Sequence, residues 1–136
     1  MTVCPYLFFN GACRDALTFY GDIFGSKPEM MDASAMPPDI PVPEDRKGWV
    51  MHGAVQIGEG MLMASDNITG TSDPMAGSSV MVNLATAAEA KAIFDRLCEG
   101  GEVTMAWEPT FWSAGFGALT DRFGIRWMVG CDEPPP

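Results

Sequence analysis

The chain has 136 residues, of which 18 are Asp or Glu, 8 are Lys or Arg and one is His, so its formal net charge is −10 at pH 7. Because 47% of the residues are apolar, a domain of this length can bury a core, which excludes general disorder. The negative charge repels phosphate backbones and anionic lipids, and the basic residues are scattered, so we expect no nucleic-acid partner and no membrane partner.

Metal sites built from two or three imidazoles are excluded, because the chain has a single histidine. The four cysteines form no CxxC pair, and their spacing fits neither a zinc ribbon nor a disulfide scaffold. No apolar run approaches the ~20 residues of a membrane span. We therefore expect a cytoplasmic protein with reduced thiols. Cys13 and Cys98 lie on apolar stripes of predicted helices and are expected to be unreactive.

The first half of the chain predicts a β-α-β-β-β unit. An apolar strand at residues 5–9 precedes a helix from about Ala12 to Phe24, in which apolar residues recur with the helical period. Gly25 can end this helix in a left-handed conformation. A short strand is expected near residues 29–31, and a hairpin runs from Val50 to Asp66.

Two segments are expected to lie outside the regular elements. Residues 26–48 are rich in Pro and Met, and prolines such as Pro37 exclude helix and central strand there. A loop of this length is typical of a lid, a dimer contact or a mobile excursion, and the sequence leaves these alternatives open. The tail at residues 132–136 is expected to be frayed.

The second half predicts the same order of elements. A strand at residues 80–84 precedes a helix from about Ala87 to Glu99, and residues 86–89 form a capping-box pattern. A strand near residues 102–105 and a hairpin within residues 116–129 follow.

Small residues recur at one constant offset between the two hairpins. The pairs are Gly53 with Gly117, Ala54 with Ala118, and Gly60 with Gly124. Such self-similarity indicates an internal duplication. We therefore predict a single α+β domain made of two repeats, about 3–66 and 79–130.

The register of the first hairpin decides which side chains share a face of the sheet. A two-residue loop at Gly58–Glu59 would mix apolar and polar residues on both faces, so the sequence favours a three-residue loop, Gly58–Gly60. One face then holds Met51, Val55, Ile57, Met61 and Met63, and the other holds His52, Ala54, Gln56, Leu62, Ala64 and Asp66. The repeat offset places Phe116, Ala118, Thr120, Arg126 and Met128 on the matching face of the second half. We expect the apolar face to pack against a helix and the mixed face to line a cleft.

Two tandem β-α-β-β-β units that carry PYLFFNG, FYGDIFG, MHGAVQIG and LMASD resemble the vicinal oxygen chelate superfamily, the fold of glyoxalase I, bleomycin-resistance proteins and extradiol dioxygenases. The C-terminal pattern FWxxxFGxxxDxFGxxW is similar to that of the PhnB-like branch, some of whose members carry a demethylubiquinone-methyltransferase name. The resemblance covers nearly the whole chain. It implies curled mixed sheets around a shared cleft, and a homodimer.

In metal-dependent members of this superfamily, the first and last strands of each unit supply one ligand each. The resemblance transfers these positions to Pro5, Ala64, Ser79 and Met128. Such residues form no oxygen-rich or imidazole-rich site, and a thioether suits Cu(I) rather than Mg, Mn, Fe or Zn. No glycine-rich strand-to-helix turn of a nucleotide site is present either. We therefore expect no metal and no other cofactor.

His52 is the candidate catalytic residue, because imidazole exchanges a proton near neutral pH. Asp66, Asp121 or Glu108 is the candidate partner that assists it. The alternative is that His52 is held by a strand neighbour and has no catalytic role. Asp121, which precedes the sequence RFG, is expected instead to bond its own turn backbone.

Aromatic residues near the second hairpin are candidates for ligand binding. Trp112 and Phe116 would either stack on a flat ligand or close the core, and their loop favours the ligand. The full set of candidate ligand-binding residues is Gln56, Glu108, Trp112, Phe116, Thr120 and Met128. We therefore expect a metal-free protein that binds a small, partly apolar molecule. The alternatives are a metal-independent enzyme that uses His52, and a structural or interaction domain whose cleft is filled.

Overall fold

The computed structural model describes residues 1–136 and divides into two compact units, Met1–Asp73 and Pro74–Pro136. The first unit contains β1 (Tyr6–Phe9), α1 (Cys13–Phe24), β2 (Glu29–Asp32), β3 (Val50–Ile57) and β4 (Gly60–Asp66). The second contains β5 (Val80–Leu84), α2 (Ala87–Leu97), β6 (Glu102–Glu108), β7 (Phe116–Thr120) and β8 (Arg126–Cys131). The predicted α+β class with two repeated units is confirmed. Neither helix is long and apolar enough to cross a membrane.

Each unit forms one four-stranded mixed sheet, with the strand orders β1-β4-β3-β2 and β5-β8-β7-β6. The first strand of each unit runs parallel to the last, and the other neighbouring strands are antiparallel. A parallel neighbour requires a crossover connection, and the helix after the first strand begins it. That helix packs against one face of its own sheet, which leaves the opposite face without a helix.

The helix α1 packs its apolar stripe, which includes the buried Leu17 and Tyr20, against β3 and β4. Gly25 ends the helix with φ 71°, a left-handed conformation that favours glycine. Gly53 on β3 lies directly beneath Leu17, because a Cβ at Gly53 would come within 2.5 Å of Leu17 Cδ1. The close approach of helix and sheet therefore requires glycine at this position.

The helix α2 repeats this arrangement in the second unit. The Thr86 hydroxyl accepts a hydrogen bond from the Glu89 N–H at 3.2 Å, which confirms the predicted N-terminal cap. A Cβ at Gly117 would come within 2.6 Å of Phe94 Cε2. Gly53 and Gly117, which the sequence pairs, therefore occupy the same place in the two units.

The predicted three-residue loop in the first hairpin is wrong. Ile57 pairs with Gly60, so the loop consists of Gly58 and Glu59. Gly58 has φ 57°, which suits the first central position of a type II′ turn, and such turns match the twist of the flanking strands. The shorter loop exchanges the faces of β4: Leu62, Ala64 and Asp66 lie on the helix side, and Met61, Met63 and Ser65 share the face of His52.

The observed register places apolar side chains of β4 under the helix α1. Leu62 and Ala64 join Val55 as buried side chains on the helix side of the sheet. Met61 remains 41% exposed on the other side. Single exposed apolar side chains are common on protein surfaces. The strand face with more apolar residues is therefore not always the face that a helix covers.

The second hairpin has a turn one residue longer than the first. The equivalent pairs are Gly53 with Ala64 and Gly117 with Val129, so the offset between units changes from 64 residues (117 minus 53) to 65 (129 minus 64). The predicted match of Gly60 with Gly124 is therefore not a structural equivalence. The predicted loop of the first hairpin is one residue too long, and the second hairpin has one residue more, so the two differences cancel in β8. The prediction that one face is shared is therefore confirmed for Phe116, Ala118, Thr120, Arg126 and Met128.

The segment at residues 26–48 contains β2 and two short 3-10 helices, Ala33–Ala35 and Glu44–Arg46. Arg46 Nη1 donates to three backbone carbonyls in the segment after β4, at distances of 2.7, 3.0 and 3.2 Å. Its guanidinium also lies 4.4 Å from the ring centroid of Trp49. Arg46 therefore attaches this segment to the chain beyond β4.

The first two residues of the segment expected to be frayed make hydrogen bonds to the second unit. The Asp132 N–H donates to the Leu84 carbonyl at 2.8 Å, and the Glu133 carbonyl accepts from the Ala114 N–H at 2.9 Å. The Glu133 carboxylate also accepts from the Ala87 N–H, at the start of α2. A negative charge near a helix N-terminus is favourable. Asp132 and Glu133 therefore attach the end of the chain to β5, to the loop before β7 and to the start of α2.

Candidate functional site

The candidate residues lie mainly on the sheet faces that are turned away from the helices. We define open face 1 as the non-helix face of the first sheet, formed by Tyr6, Phe8, Glu29, Met31, His52, Ala54, Gln56, Met61, Met63 and Ser65. We define open face 2 as the non-helix face of the second sheet, formed by Met81, Asn83, Glu102, Met105, Glu108, Phe116, Ala118, Thr120, Arg126, Met128 and Gly130. Several of their large apolar side chains are exposed, including Phe8 at 58% and Met105 at 50%.

His52 is exposed on open face 1, where β3 pairs it with Met31 of β2. Tyr6 reaches it from β1, across β4. The Tyr6 hydroxyl lies 3.0 Å from His52 Nδ1, and the two rings stack with centroids 5.7 Å apart. Either group can donate this hydrogen bond, depending on the imidazole tautomer. Tyr6 therefore orients the ring and leaves Nε2 without a partner in the chain.

Tyr6 is a site residue that the sequence reasoning missed. The alternation of β1, with Tyr6 and Phe8 exposed and Leu7 and Phe9 buried, is the pattern of a half-covered strand. Combined with the parallel pairing of first and last strands and the two-residue loop, this alternation would have placed Tyr6 on the face of His52.

Asp66 lies on the opposite side of the sheet from His52, so the predicted pair is not formed. Its carboxylate is 3% exposed and accepts three backbone hydrogen bonds: Oδ1 from the Gly11 and Cys13 N–H groups at 2.8 and 3.1 Å, and Oδ2 from Val50 N–H at 2.9 Å. The side chain thereby joins the start of α1 and the start of β3 to the end of β4. Asp66 holds the unit together at this point.

The Cys13 thiol is buried and the Cys98 thiol is half-buried, and both surroundings disfavour the thiolate. Burial raises the pKa of the Cys13 thiol to about 12, and the nearby negative charge of Asp66 adds to the effect. Burial also raises the pKa of Cys98, with a smaller contribution from Asp95. Since the thiolate is the nucleophile, both groups stay in the unreactive form at neutral pH.

Asp121 closes the turn of the second hairpin, as predicted. Its Oδ1 accepts from the Phe123 and Ile125 N–H groups at 2.9 and 3.0 Å, and Oδ2 accepts from Trp127 Nε1 at 2.9 Å. The carboxylate is 3% exposed. The carboxylate of Asp121 therefore stabilises the turn and accepts the hydrogen bond of the buried indole N–H.

Three aromatic rings form a ladder at the end of open face 2. Phe116 is buried on β7, and the Trp112 ring packs edge-on to it with centroids 5.5 Å apart. Phe111 packs against Trp112 in the same way at 4.7 Å. Trp112 is 55% exposed and Phe111 is 90% exposed. Ser113, whose hydroxyl lies 2.9 Å from the Gly115 carbonyl, fixes the loop that carries these two rings.

The remaining candidates are divided between the units. Gln56 is exposed on open face 1 and donates from Nε2 to the Gly58 carbonyl at 3.1 Å. Thr120 and Met128 are half-buried on open face 2, and Glu108 ends β6 opposite Phe116. The second unit therefore contains five of the six predicted ligand-binding residues. In the first unit, Gln56 shares the face of His52, four residues further along β3. Their roles stay predictions.

Of the four positions that the resemblance assigns to a metal, only Met128 lies in a strand and on an open face. Ala64 faces the helix, and Pro5 and Ser79 lie outside the strands. On the open faces, the neighbours in first and last strands are Tyr6 beside Met63, and Met81 beside Met128. No group of three or more His, Cys, Asp or Glu side chains could hold a metal ion. One phenol and three thioethers do not fit a Mg, Mn, Fe or Zn centre.

The chain is similar over nearly its whole length to a family model, to a protein from Escherichia coli and to solved structures. The family model for 3-demethylubiquinone-9 3-methyltransferase matches residues 1–130. Protein YjdN of Escherichia coli (strain K12) is 31% identical, over 100% of this chain and 99% of its own length. Protein PA1353 from Pseudomonas aeruginosa is 41% identical, with 98% of both chains covered and a TM-score of 0.86.

More distant structures extend the comparison. The putative 3-demethylubiquinone-9 3-methyltransferase, PhnB protein, from Bacillus cereus is 25% identical, with 96% of this chain and 99% of that chain covered and a TM-score of 0.72. A glyoxalase/bleomycin resistance protein from Albidiferax ferrireducens T118 is 13% identical and shares the fold, with 96% and 98% coverage and a TM-score of 0.61. The chain belongs to the PhnB-like 3-demethylubiquinone-9 3-methyltransferase family, and it has the fold of the glyoxalase/bleomycin-resistance proteins.

Proposed function

We propose that the protein binds a small, partly apolar molecule on open face 2. The observation that carries the proposal is the Trp112 ring, which is held edge-on by Phe116 yet is 55% exposed. A flat ligand laid on this ring would gain stacking and would remove apolar surface from water. The flexible thioethers of Met81, Met105 and Met128 line the same face and adapt to ligands of irregular shape.

Titration with the neutral fluorescent probe N-phenyl-1-naphthylamine tests this proposal. We expect saturable binding, and Trp112→Ala should weaken it at least about tenfold, because the contact of a large aromatic side chain is worth about 1.5–3 kcal/mol. Ile40→Ala is the matched control, since Ile40 is an exposed apolar residue outside both open faces. Probe binding that is unchanged by Trp112→Ala, or that is lost in Ile40→Ala, would contradict the proposal.

A second candidate function is acid–base catalysis by His52. The hydrogen bond between Tyr6 and His52 Nδ1 favours it, because an oriented imidazole with a free Nε2 can remove a proton from a substrate. This candidate replaces Asp66 by Tyr6 as the orienting partner. It requires no metal, which agrees with the donor set on the open faces.

Hydrogen–deuterium exchange at carbons next to a carbonyl tests the catalytic candidate. With hydroxyacetone or pyruvate in D₂O, followed by NMR, we expect exchange that His52→Ala lowers by about 10²–10⁴-fold, the usual contribution of a general base. Tyr6→Phe should lower it less, because the imidazole remains. Glu59→Gln, a change in the exposed turn, is the control. Exchange that survives His52→Ala would exclude this role.

We also propose a homodimer in the cytoplasm. The exposed apolar side chains of the open faces are typical of surfaces that a second subunit or a ligand covers. All four cysteines are free, as expected in a reducing compartment. Sedimentation velocity measures the oligomeric state, and a monomer at all concentrations would contradict the dimer.

A further inference from the structure

Arg126 stands at one end of open face 2. It is exposed at the start of β8, directly opposite Thr120 of β7. Met128 follows two residues later on the same face, and Gly130, opposite Phe116, follows two residues after that. Because a strand rises ~3.3 Å per residue, roughly 13 Å separate Arg126 from the aromatic end. Open face 2 therefore runs from a cation, past a thioether, to the aromatic ladder.

The charge of Arg126 is unpaired within the chain. Of the eight basic residues, Lys27 and Arg126 are the two whose side chains make no ion pair, hydrogen bond or ring contact. Glu102 lies two strands away in the same row, beyond Thr120, and forms no ion pair with it. Although the chain has 18 acidic residues, no carboxylate of the chain neutralises Arg126, whose positive charge is therefore available to a ligand.

We propose that Arg126 binds the carboxylate of an elongated amphipathic ligand. The apolar body of this ligand lies along Met128 and ends against Phe116 and Trp112. The inference rests on the proposed function, since it names the chemical class of the molecule that open face 2 takes.

The chemistry of the residues supports this assignment. A guanidinium presents two parallel N–H groups that match a carboxylate, and such charge-assisted bonds are about twice as strong as neutral ones. The half-buried Thr120 beside Arg126 adds a hydroxyl donor with no other partner in the chain. Next along the face, Met128 and Ala118 offer only apolar atoms. The two carboxylates of this face, Glu102 and Glu108, lie on β6. The part formed by β7 and β8 therefore has one charged end and an apolar remainder, which a carboxylic acid with a chain or ring would match.

Isothermal titration calorimetry of the full chain with decanoate and its neutral counterpart decanol tests the inference. We expect tighter binding of decanoate, and Arg126→Gln should weaken decanoate at least about tenfold while changing decanol less than about twofold. Arg126→Lys should retain part of the preference, because the charge remains. Lys27→Gln, which makes the same charge change at the other unpaired cation, should leave both affinities unchanged. Circular dichroism confirms that each variant is folded.

Equal affinities of the wild-type protein for decanoate and decanol would overturn the inference. So would an equal loss of decanoate binding in Lys27→Gln and Arg126→Gln, which would indicate a general effect of net charge. If Arg126→Gln leaves decanoate binding intact while Trp112→Ala weakens decanol binding, the inference fails and the proposed function stands. If neither probe binds, the inference fails, and the naphthylamine titration decides the proposed function alone.

Discussion

Asp66→Ala is expected to lower the free energy of unfolding by about 3–5 kcal/mol, because each buried donor that loses its partner costs about 1–3 kcal/mol. Asp66 accepts from the backbone of Gly11, Cys13 and Val50. Alanine leaves all three N–H groups without an acceptor and separates three parts of the first unit. Since domains are stable by only about 5–15 kcal/mol, the substitution should remove a large share of the stability.

Urea denaturation followed by circular dichroism measures this effect. Asp73→Ala is the matched control, because Asp73 belongs to the same unit, is exposed and makes no hydrogen bond or ion pair. We expect the control to change stability by less than about 0.5 kcal/mol. A loss of under about 1 kcal/mol for Asp66→Ala would mean that water replaces the carboxylate, and would contradict the structural role.

Asp121→Ala is expected to destabilise the second unit to a similar extent, about 3–5 kcal/mol. Its carboxylate accepts from the Phe123 and Ile125 N–H groups and from the Nε1 of Trp127, which is fully buried. Loss of the acceptor leaves the indole N–H unsatisfied in the core and removes the closure of the turn. Chemical denaturation followed by tryptophan fluorescence reports the change.

Asp95→Ala in the same unit is the control for Asp121→Ala. Asp95 pairs with Lys91 on the surface of α2, and exposed pairs of this kind contribute about 0–1 kcal/mol. We therefore expect a large difference between the two substitutions, although both remove one carboxylate. Equal effects would show that the buried bonds of Asp121 do not stabilise the turn.

The helices and the order of the strands could be predicted because their signals are local. The capping residues Thr86 and Glu89 and the apolar stripe of α1 depend only on neighbours in sequence. Gly53 and Gly117 also match, since each lies beneath a helix side chain in its unit. Such features need no knowledge of which strands pair.

The site could be predicted only in part because it depends on pairing between distant strands. His52 and Tyr6 are 46 residues apart and meet only through the parallel pairing of β1 with β4 and the two-residue turn. A one-residue error in that turn places Asp66 on the wrong face, since successive residues of a strand point to opposite sides. Trp112 and Phe116 can be named as candidates because they are close in sequence, whereas the stacking of Phe111 on Trp112 depends on the loop conformation.

The unequal turns of the two hairpins have an evolutionary and practical consequence. The extra residue of the second turn changes the numbering of β8 relative to β4, but both hairpins keep an open face and a helix face. A duplicated half can therefore gain or lose a residue between its strands without turning its binding surface inward. Substitutions transferred from one half to the other must follow the strand partners, because a fixed offset would place an intended surface residue of β8 in the core.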